Sequence, residues 1–196
     1  RWVRPFGARL EAKLIRNVLK NIVIKGNVWT LEQTINKKWD IYFLVEALLI
    51  STRSKDPSTQ VGAIIVKPDK RIVSKGYNGL PSEMEDDYIH YNNRELKYDT
   101  IIHAEENALI FAKQDLDDCI LYTWPFLPCS RCASKMIQAG IKRIVAPRND
   151  VERWEKNLSL SKKSLTECGI AITEYPKRNV LNELEYVVGM TRCKIT

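Results

Sequence analysis

The chain reads His103-Ala104-Glu105 in one segment and Pro128-Cys129-Ser130-Arg131-Cys132 in another. Together these segments hold one imidazole, two thiols and one carboxylate. Three nitrogen and sulfur ligands suit a tetrahedral zinc ion and leave its fourth position open, where a catalytic zinc holds water. Because Glu105 stands two residues after the histidine, its carboxylate can lie beside that water without binding the metal. The two segments therefore predict a catalytic zinc site.

Both segments fall at predicted helix starts, with His103 opening one helix and Cys129 opening the next. A thiolate at a helix N-terminus is favoured by the free backbone N–H groups and by the helix dipole. Cys132 follows Cys129 by three residues, so both thiols lie on one helical face and can bind one ion. The predicted metal ligands are His103, Cys129 and Cys132, and Glu105 is the predicted catalytic residue.

Two other interpretations of the cysteine pair remain open. A C-x-x-C pair can be a redox-active dithiol, but this leaves His103 and Glu105 without a role. A structural zinc site needs a fourth protein ligand, and the only other histidine, His90, lies in a polar stretch. A zinc-stabilised binding module without catalysis is therefore an alternative function, against which the carboxylate of Glu105 argues.

Composition limits the environments in which the chain can work. Its 196 residues suit one domain with some extension. The five cysteines are odd in number and include a C-x-x-C pair, which favours a reducing, cytoplasmic location over a secreted disulfide framework. No apolar run approaches the ~20 residues that span a bilayer, so no membrane association is expected.

The net charge of +7 is confined to one end of the chain. Residues 1–38 hold nine Lys or Arg and two acidic residues, and the remainder is balanced. The four-residue spacing of Leu10, Leu14, Val18 and Ile22 predicts an amphipathic helix over residues 8–24. It is interpreted as packing on the body or on another subunit, with an organelle transit peptide as the alternative. The neutral body argues against nucleic acid as a partner.

Hydrophobic periodicity predicts alternating helices and strands. The predicted helices after the leader are residues 39–52, 103–113, 129–139, 151–168 and 179–188, and the predicted strands are 61–66, 71–77, 119–123, 141–146 and 169–175. Residues 79–99 are a long polar stretch without a predicted element. This order predicts an α/β fold with three α-β-α layers, in which a mixed sheet of about five strands carries helices on both faces. The predicted divisions are a basic helical extension (1–38), one domain (39–175) and a helical tail (176–196).

The chain resembles the deoxycytidylate (dCMP) deaminases of the cytidine deaminase-like superfamily. The pattern H-x-E…P-C-x-x-C is the signature of zinc nucleobase deaminases. Further stretches point to the dCMP branch, and the resemblance covers roughly residues 39–147. The matching stretches are 51–63 (STRSKDPSTQVGA), 76–79 (GYNG), 103–108 (HAEENA), 128–133 (PCSRCA) and 138–141 (QAGI).

The resemblance implies roles for residues at matching positions. Arg53, Ser54 and Lys55 match the place where the family holds the 5′-phosphate, although a solvated helix end is the alternative. Asn78 matches the residue that contacts the sugar hydroxyl and orients the pyrimidine. The backbone at Ala104 and Pro128 would line the pyrimidine pocket.

The resemblance also implies regulation and assembly. Many members are homo-oligomers, often hexamers, activated by dCTP with Mg²⁺ and inhibited by dTTP. Their effector site adjoins the loop that corresponds to Tyr77 and Gly79 and the acidic loop after it, here including Asp86 and Asp87. A solvated acidic loop is the alternative for this cluster.

The function expected from the sequence is zinc-dependent hydrolysis of dCMP to dUMP, which supplies thymidylate synthesis. The nucleotide is then the small-molecule partner. One alternative is a deaminase of polymeric nucleic acid, such as tRNA, which the basic leader favours and the neutral body opposes. The other is the zinc-binding module described above.

Overall fold

The computed structural model describes residues 22–24, 27–29, 31–85 and 88–195. The chain divides into two units, with the boundary after Asp40. None of the described helices is long and apolar enough to cross a membrane. The domain limits expected from the sequence, at residues 38 and 175, remain predictions.

The described part of the first unit contains a short β-hairpin. Strand β1 (Ile22–Ile24) pairs antiparallel with β2 (Asn27–Trp29). Most of the helix predicted over residues 8–24 lies outside the described residues, but its last three residues form β1, so the prediction was wrong there. Ile22, Val23 and Ile24 are all β-branched, and such side chains lose rotamer freedom in a helix and fit a strand better. Helix α1 (Leu31–Ser51) begins soon after the hairpin.

The second unit is built on a mixed sheet of five strands in the order β4-β3-β5-β6-β7. Strand β3 runs antiparallel to both β4 and β5, whereas β5, β6 and β7 run parallel. The predicted α/β fold with five strands is confirmed. The strands are β3 (Gly62–Val66), β4 (Ile72–Tyr77), β5 (Ile120–Trp124), β6 (Arg143–Pro147) and β7 (Ala171–Tyr175).

Helices cover both faces of this sheet. The helices that follow α1 in the chain are α2 (Tyr88–Asn92), α3 (Arg94–Thr100), α4 (Ala104–Ala112), α5 (Ser130–Gln138), α6 (Glu155–Glu167) and α7 (Lys177–Ile195), and a 3₁₀ turn (Glu152–Trp154) precedes α6. In β3, Ala63 and Ile65 join a core with α4, α5 and α6. Ile64 joins a second core on the opposite face with α1 and α7. Successive side chains of a strand point to opposite faces, which gives the predicted three layers.

Glycine allows α4 to lie directly on β4. A Cβ atom at Gly76 would stand 2.2 Å from the carbonyl oxygen of Ala104 and 2.5 Å from the backbone nitrogen of Ala108. Such distances are far inside van der Waals contact, so only a residue without a side chain fits there. The first turn of α4, which follows His103, is therefore fixed against the sheet.

The polar stretch over residues 79–99 contains two short helices, α2 and α3, that the sequence did not predict. Asn93 caps α3, because its side-chain oxygen accepts a hydrogen bond from the backbone N–H of Leu96 at 3.2 Å. No residue of α3 is buried, so it lacks the apolar stripe on which helix prediction depends. Its capping residue was the available signal.

Candidate active site

Two helix starts bring the candidate catalytic residues together. His103 immediately precedes α4, and Cys129 immediately precedes α5, which follows the central strand β5. The carboxylate of Glu106 accepts a hydrogen bond from the backbone N–H of His103 at 3.1 Å and so caps α4. Both segments lie at helix starts, as the sequence predicted. The backbone is extended at His103 and at Cys129 and becomes helical at the next residue.

His103, Cys129 and Cys132 form a compact ligand cluster. Nδ1 of His103 lies 3.5 Å from Sγ of Cys129 and 3.3 Å from Sγ of Cys132. A tetrahedral zinc with bonds of about 2.0–2.3 Å requires ligand atoms roughly 3.5 Å apart. Among the residues that the structure describes, the cluster contains these three side chains and no fourth ligand. The donor set and its spacing therefore fit a zinc site with one open position.

The environment of the cluster favours a bound thiolate. Hydrogen bonds from Cys132 and His103 lower the pKa of Cys129 to about 4, although burial opposes this change. A thiolate, not a thiol, is the form that binds a metal. Cys129 is thus prepared to bind a cation at neutral pH.

Glu105 is buried beside this cluster without belonging to it. Only 4% of its surface is exposed, and burial raises its pKa to about 7 against the opposing charge of His103. Its position in the first turn of α4 places it in the wall of a cavity. A buried carboxylate that is not a metal ligand is suited to proton transfer.

The cavity extends from the metal cluster toward residues distant in sequence. Its lining combines polar groups with an apolar wall, in which the rings of Phe126 and Trp154 are 5.9 Å apart. The lining residues are Asp56, Ser58, Thr59, Val61, Asn78, Lys97, Tyr98, Ile101, His103, Ala104, Glu105, Phe126, Cys129, Arg153, Trp154 and Leu158. The sequence analysis identified Asn78, His103, Ala104, Glu105 and Cys129 as site residues but not the others.

Asn78 lines the cavity, and its amide is already engaged in the fold. Its oxygen accepts from the backbone N–H of Val61 at 2.8 Å, and its nitrogen donates to the carbonyl of Thr59 at 2.9 Å and to Asp56 at 3.2 Å. Both amide protons are therefore used, and one lone pair of the oxygen remains. Asn78 can accept a hydrogen bond from a ligand hydroxyl but has no proton left to donate.

Asp56 organises the loop beside Asn78, and the sequence analysis missed it. The Asp56 side chain accepts hydrogen bonds from the backbone N–H and hydroxyl of Ser58, both at 2.8 Å, and from Lys97 Nζ at 2.7 Å. Burial would raise its pKa, but these donors outweigh burial and hold the pKa below its usual range. The sequence Asp56-Pro57-Ser58 is typical of such a side-chain turn. No local sequence pattern indicates the contact between Asp56 and Lys97 on α3.

The predicted phosphate residues lie outside the cavity. Arg53 and Lys55 are exposed and are not among its lining residues. Ser54 is buried, and its hydroxyl accepts a hydrogen bond from the backbone N–H of Asp56 at 3.3 Å. Their roles in substrate binding remain predictions, and the cavity itself is lined by a different group of polar residues.

Of the remaining predicted residues, Ala104 lies in the cavity wall, whereas Pro128 is buried and does not line the cavity. Tyr77 is 41% exposed at the end of β4. Gly79 exchanges two backbone hydrogen bonds with Ile102, at 3.1 and 2.9 Å. Asp86 and Asp87 lie outside the described residues.

Comparison with known proteins identifies the family. Residues 37–147 match the family described as the cytidine and deoxycytidylate deaminase zinc-binding region. The chain belongs to this family. The matched span contains the three candidate ligands and Glu105, but it ends before Arg153 and Trp154.

Individual relatives agree with this membership. An uncharacterised deaminase in the luxG 3′ region of Aliivibrio fischeri is 42% identical over 71% of this chain and 95% of its own length. The deoxycytidylate deaminase of Homo sapiens is 41% identical over 55% of this chain. The chain covers 64% of the length of the human and mouse deoxycytidylate deaminases.

Solved structures show the same architecture. The dCMP deaminase of cyanophage S-TIM5 in its apo form is 26% identical to this chain, with a TM-score of 0.57. The match covers 70% of this chain and 98% of the cyanophage chain. The same enzyme in complex with dCMP and dUMP is 25% identical to this chain, with a TM-score of 0.55. This match covers 68% of this chain and 94% of the cyanophage chain.

Proposed function

We propose that this chain is a zinc-dependent deaminase that hydrolyses dCMP to dUMP and ammonia. The observation that carries the proposal is a three-ligand cluster with a buried, non-ligating Glu105 in the wall of a cavity. A structural zinc site has no use for such a carboxylate. The substrate is supported by the deoxycytidylate deaminases among the relatives and by the cyanophage enzyme bound to dCMP and dUMP.

The residues of the cluster and its neighbour divide the chemistry between them. His103, Cys129 and Cys132 would hold the zinc, which when bound lowers the pKa of a coordinated water to about 7. Glu105 accepts the proton of the attacking water and delivers protons to the ring nitrogen and to the departing amine. Water is consumed, the exocyclic C–N bond breaks, ammonia leaves and a carbonyl remains.

The cavity walls hold and orient the pyrimidine nucleotide. The remaining lone pair of Asn78 accepts from a sugar hydroxyl, which fixes the sugar relative to the base. Phe126 and Trp154 supply apolar surface for the flat ring and exclude water from Glu105. Proton transfer in a protected site is more effective because charges interact more strongly there.

Regulation and assembly belong to the same proposal. We infer activation by dCTP with Mg²⁺, inhibition by dTTP, and a homo-oligomer, a hexamer by family resemblance, in the cytoplasm. The paired backbone bonds between Gly79 and Ile102 support regulation, because Ile102 immediately precedes His103. An effector that displaced the loop after Tyr77 would therefore act on the start of α4.

A substrate panel tests the proposed function. The loss of ultraviolet absorbance should be followed for dCMP, CMP, deoxycytidine and tRNA, with and without dCTP and Mg²⁺. We expect the highest kcat/KM with dCMP, and a Glu105→Gln variant that keeps zinc but loses at least 10²–10⁴-fold in kcat. Preferential turnover of tRNA, or a Glu105→Gln variant within tenfold of the parent, would overturn the proposal.

A further inference from the structure

The carboxylate of Glu106 joins the two helix segments that carry the candidate ligands. Its Oε2 accepts a hydrogen bond from the backbone N–H of His103 at 3.1 Å, in the first turn of α4. Its Oε1 accepts a hydrogen bond from Nζ of Lys135 on α5, with which it also forms a salt bridge. Lys135 follows Cys132 by three residues, so the two positions are neighbours on α5. The pair of Glu106 and Lys135 therefore links the residue that offers the imidazole to the helix that offers a buried thiol.

Each member of this pair also suits its place on its own helix. Glu106 lies in the first turn of α4, where the helix dipole favours a negative charge. Lys135 lies in the last turn of α5, where the dipole favours a positive charge. The Lys135 side chain is 53% exposed, and an ion pair so open to solvent contributes little to the stability of a whole fold. The consequence of the pair is therefore to be sought in the groups that it holds in place.

The groups that it holds are metal ligands from two separate segments. Nδ1 of His103 and the thiols of Cys129 and Cys132 reach the spacing that zinc requires only while the starts of α4 and α5 keep their separation. Helix α4 lies against β4, whereas α5 follows β5, so the two helices are anchored on different strands. A direct link between them acts on the distance between the imidazole and the thiols. Side chains that hold metal ligands in place change metal affinity by about 10–100-fold when they are replaced.

We propose that Glu106 and Lys135 are positioning residues of the metal site, and that their ion pair holds α4 and α5 at the separation that zinc binding requires. This inference rests on the proposed function. Glu105 lines the cavity, but neither Glu106 nor Lys135 does. The adjacent glutamates thus have separate roles: Glu105 faces the reaction, and Glu106 acts through the backbone of His103 and through Lys135.

The test measures how firmly each variant retains zinc. Zinc-loaded, full-length protein is titrated with a chromogenic chelator, and the zinc that is transferred gives the apparent affinity. Glu106→Ala removes both the ion pair and the hydrogen bond to His103, and it should weaken zinc binding by about 10–100-fold. Lys135→Ala removes the ion pair alone, so it should weaken zinc binding by about 2–5-fold, as for the loss of an exposed ion pair. Lys135→Arg keeps a cation there and should restore most of the parental affinity.

A second ion pair provides the matched control. Lys162 on α6 binds Glu174 on β7 at 2.9 Å, with side chains that are 40% and 21% exposed, similar to Lys135 and Glu106. Neither member of the control pair belongs to the ligand cluster. Lys162→Ala and Glu174→Ala should therefore leave the affinity for zinc unchanged.

Two further measurements separate positioning from general stabilisation. In urea denaturation with excess zinc, Lys135→Ala and Lys162→Ala should unfold at similar urea concentrations, because both remove an exposed ion pair. With the site saturated by zinc, KM for dCMP should stay near the parental value in Lys135→Ala, because Lys135 does not line the cavity. The double variant Glu106→Ala, Lys135→Ala should bind zinc no more weakly than Glu106→Ala alone, because Lys135 acts through Glu106.

The inference is rejected if Glu106→Ala and Lys135→Ala retain zinc as firmly as the two control variants do. It is also rejected if all four variants lose zinc in proportion to their loss of stability, or if the two substitutions act independently in the double variant. Either result leaves the proposed function standing when the parent deaminates dCMP. A zinc-loaded parent that does not deaminate dCMP, with zinc affinities that depend on the pair as expected, rejects the proposed function and supports the inference.

Discussion

At the scale of single residues, the metal cluster depends on side chains with no substitutes nearby. Among the described residues, His103, Cys129 and Cys132 form the one group of three ligand side chains whose ligand atoms all lie within 4.8 Å of one another. Loss of one ligand leaves two, which do not hold zinc in the closed geometry that the ion prefers. The cluster is therefore sensitive to single substitutions that leave the sheet intact.

We expect Cys132→Ser to lose most of its bound metal, whereas the parent holds about one zinc per chain. Cys168→Ser is the matched control, because Cys168 is exposed and does not belong to the ligand cluster, so this variant should keep the parental metal content. Metal analysis of the purified proteins checks this. Full zinc occupancy in Cys132→Ser would mean that other groups hold the ion.

The buried pair of Asp56 and Lys97 predicts a pH-dependent contribution to stability. The folded-state pKa of Asp56 is below its ordinary value of about 3.9. Its contribution is therefore fully present above that ordinary value and is lost as pH falls through the lower folded-state pKa.

Asp56→Asn should lower the free energy of unfolding at pH 7 by about 1–3 kcal/mol, because Lys97 loses its charged partner. The difference from the parent should shrink below about pH 4. Urea denaturation at a series of pH values measures both effects. A difference that stays constant down to pH 3 would show that the charge of Asp56 does not contribute.

At the scale of elements, the close contact between α4 and β4 determines where the catalytic residues lie. We expect Gly76→Ala to destabilise the protein by about 1–3 kcal/mol, because the added Cβ would meet backbone atoms of α4, which do not yield easily. The displacement should also reduce zinc binding, since His103 immediately precedes that helix.

Gly189→Ala is the control for this substitution. A Cβ atom at Gly189 meets nothing within 4 Å, and alanine in a helix such as α7 should be neutral or stabilising. Thermal melting and metal content should be measured for both variants. Gly76→Ala with parental stability and zinc content would contradict the role of this contact.

The elements also show what could be read from the sequence. The hydrophobic pattern predicted strands over residues 61–66 and 141–146, and the metal-binding segments were predicted at two helix starts, because both signals are local. Helix α3 was missed because it buries none of its side chains. The contact between Arg153 and Thr59 joins residues 94 positions apart, and no local pattern encodes such a pairing. Sequence therefore indicated the metal centre but not the opposite wall of the cavity.

At the scale of the whole molecule, charge and chemistry are separate along the chain. Residues 1–38 carry the entire net charge of +7, whereas every residue that lines the cavity follows residue 55. A variant that begins at Leu31, where α1 begins, should keep its zinc and its dCMP turnover within about threefold of the parent. Metal analysis and steady-state kinetics test this, and loss of either would show that the removed segment is needed by the second unit.

The same variant tests the alternative of a polymeric substrate. Gel-shift titration of the full chain and of the shortened variant should be carried out with RNA and DNA at two salt concentrations. We expect neither protein to show tight binding that depends steeply on salt. If the full chain binds nucleic acid tightly at low salt and the shortened one does not, then the basic segment recruits a polyanion.

Arg153 and Trp154 follow the metal ligands in the chain, so the two parts of the cavity wall are synthesised at different times. A ribosome releases the chain from its N-terminus, at about 5–20 residues per second, so the last ligand, Cys132, emerges before the 3₁₀ turn that carries Arg153 and Trp154. The residues that hold the ion are therefore synthesised before the residues that complete the cavity wall.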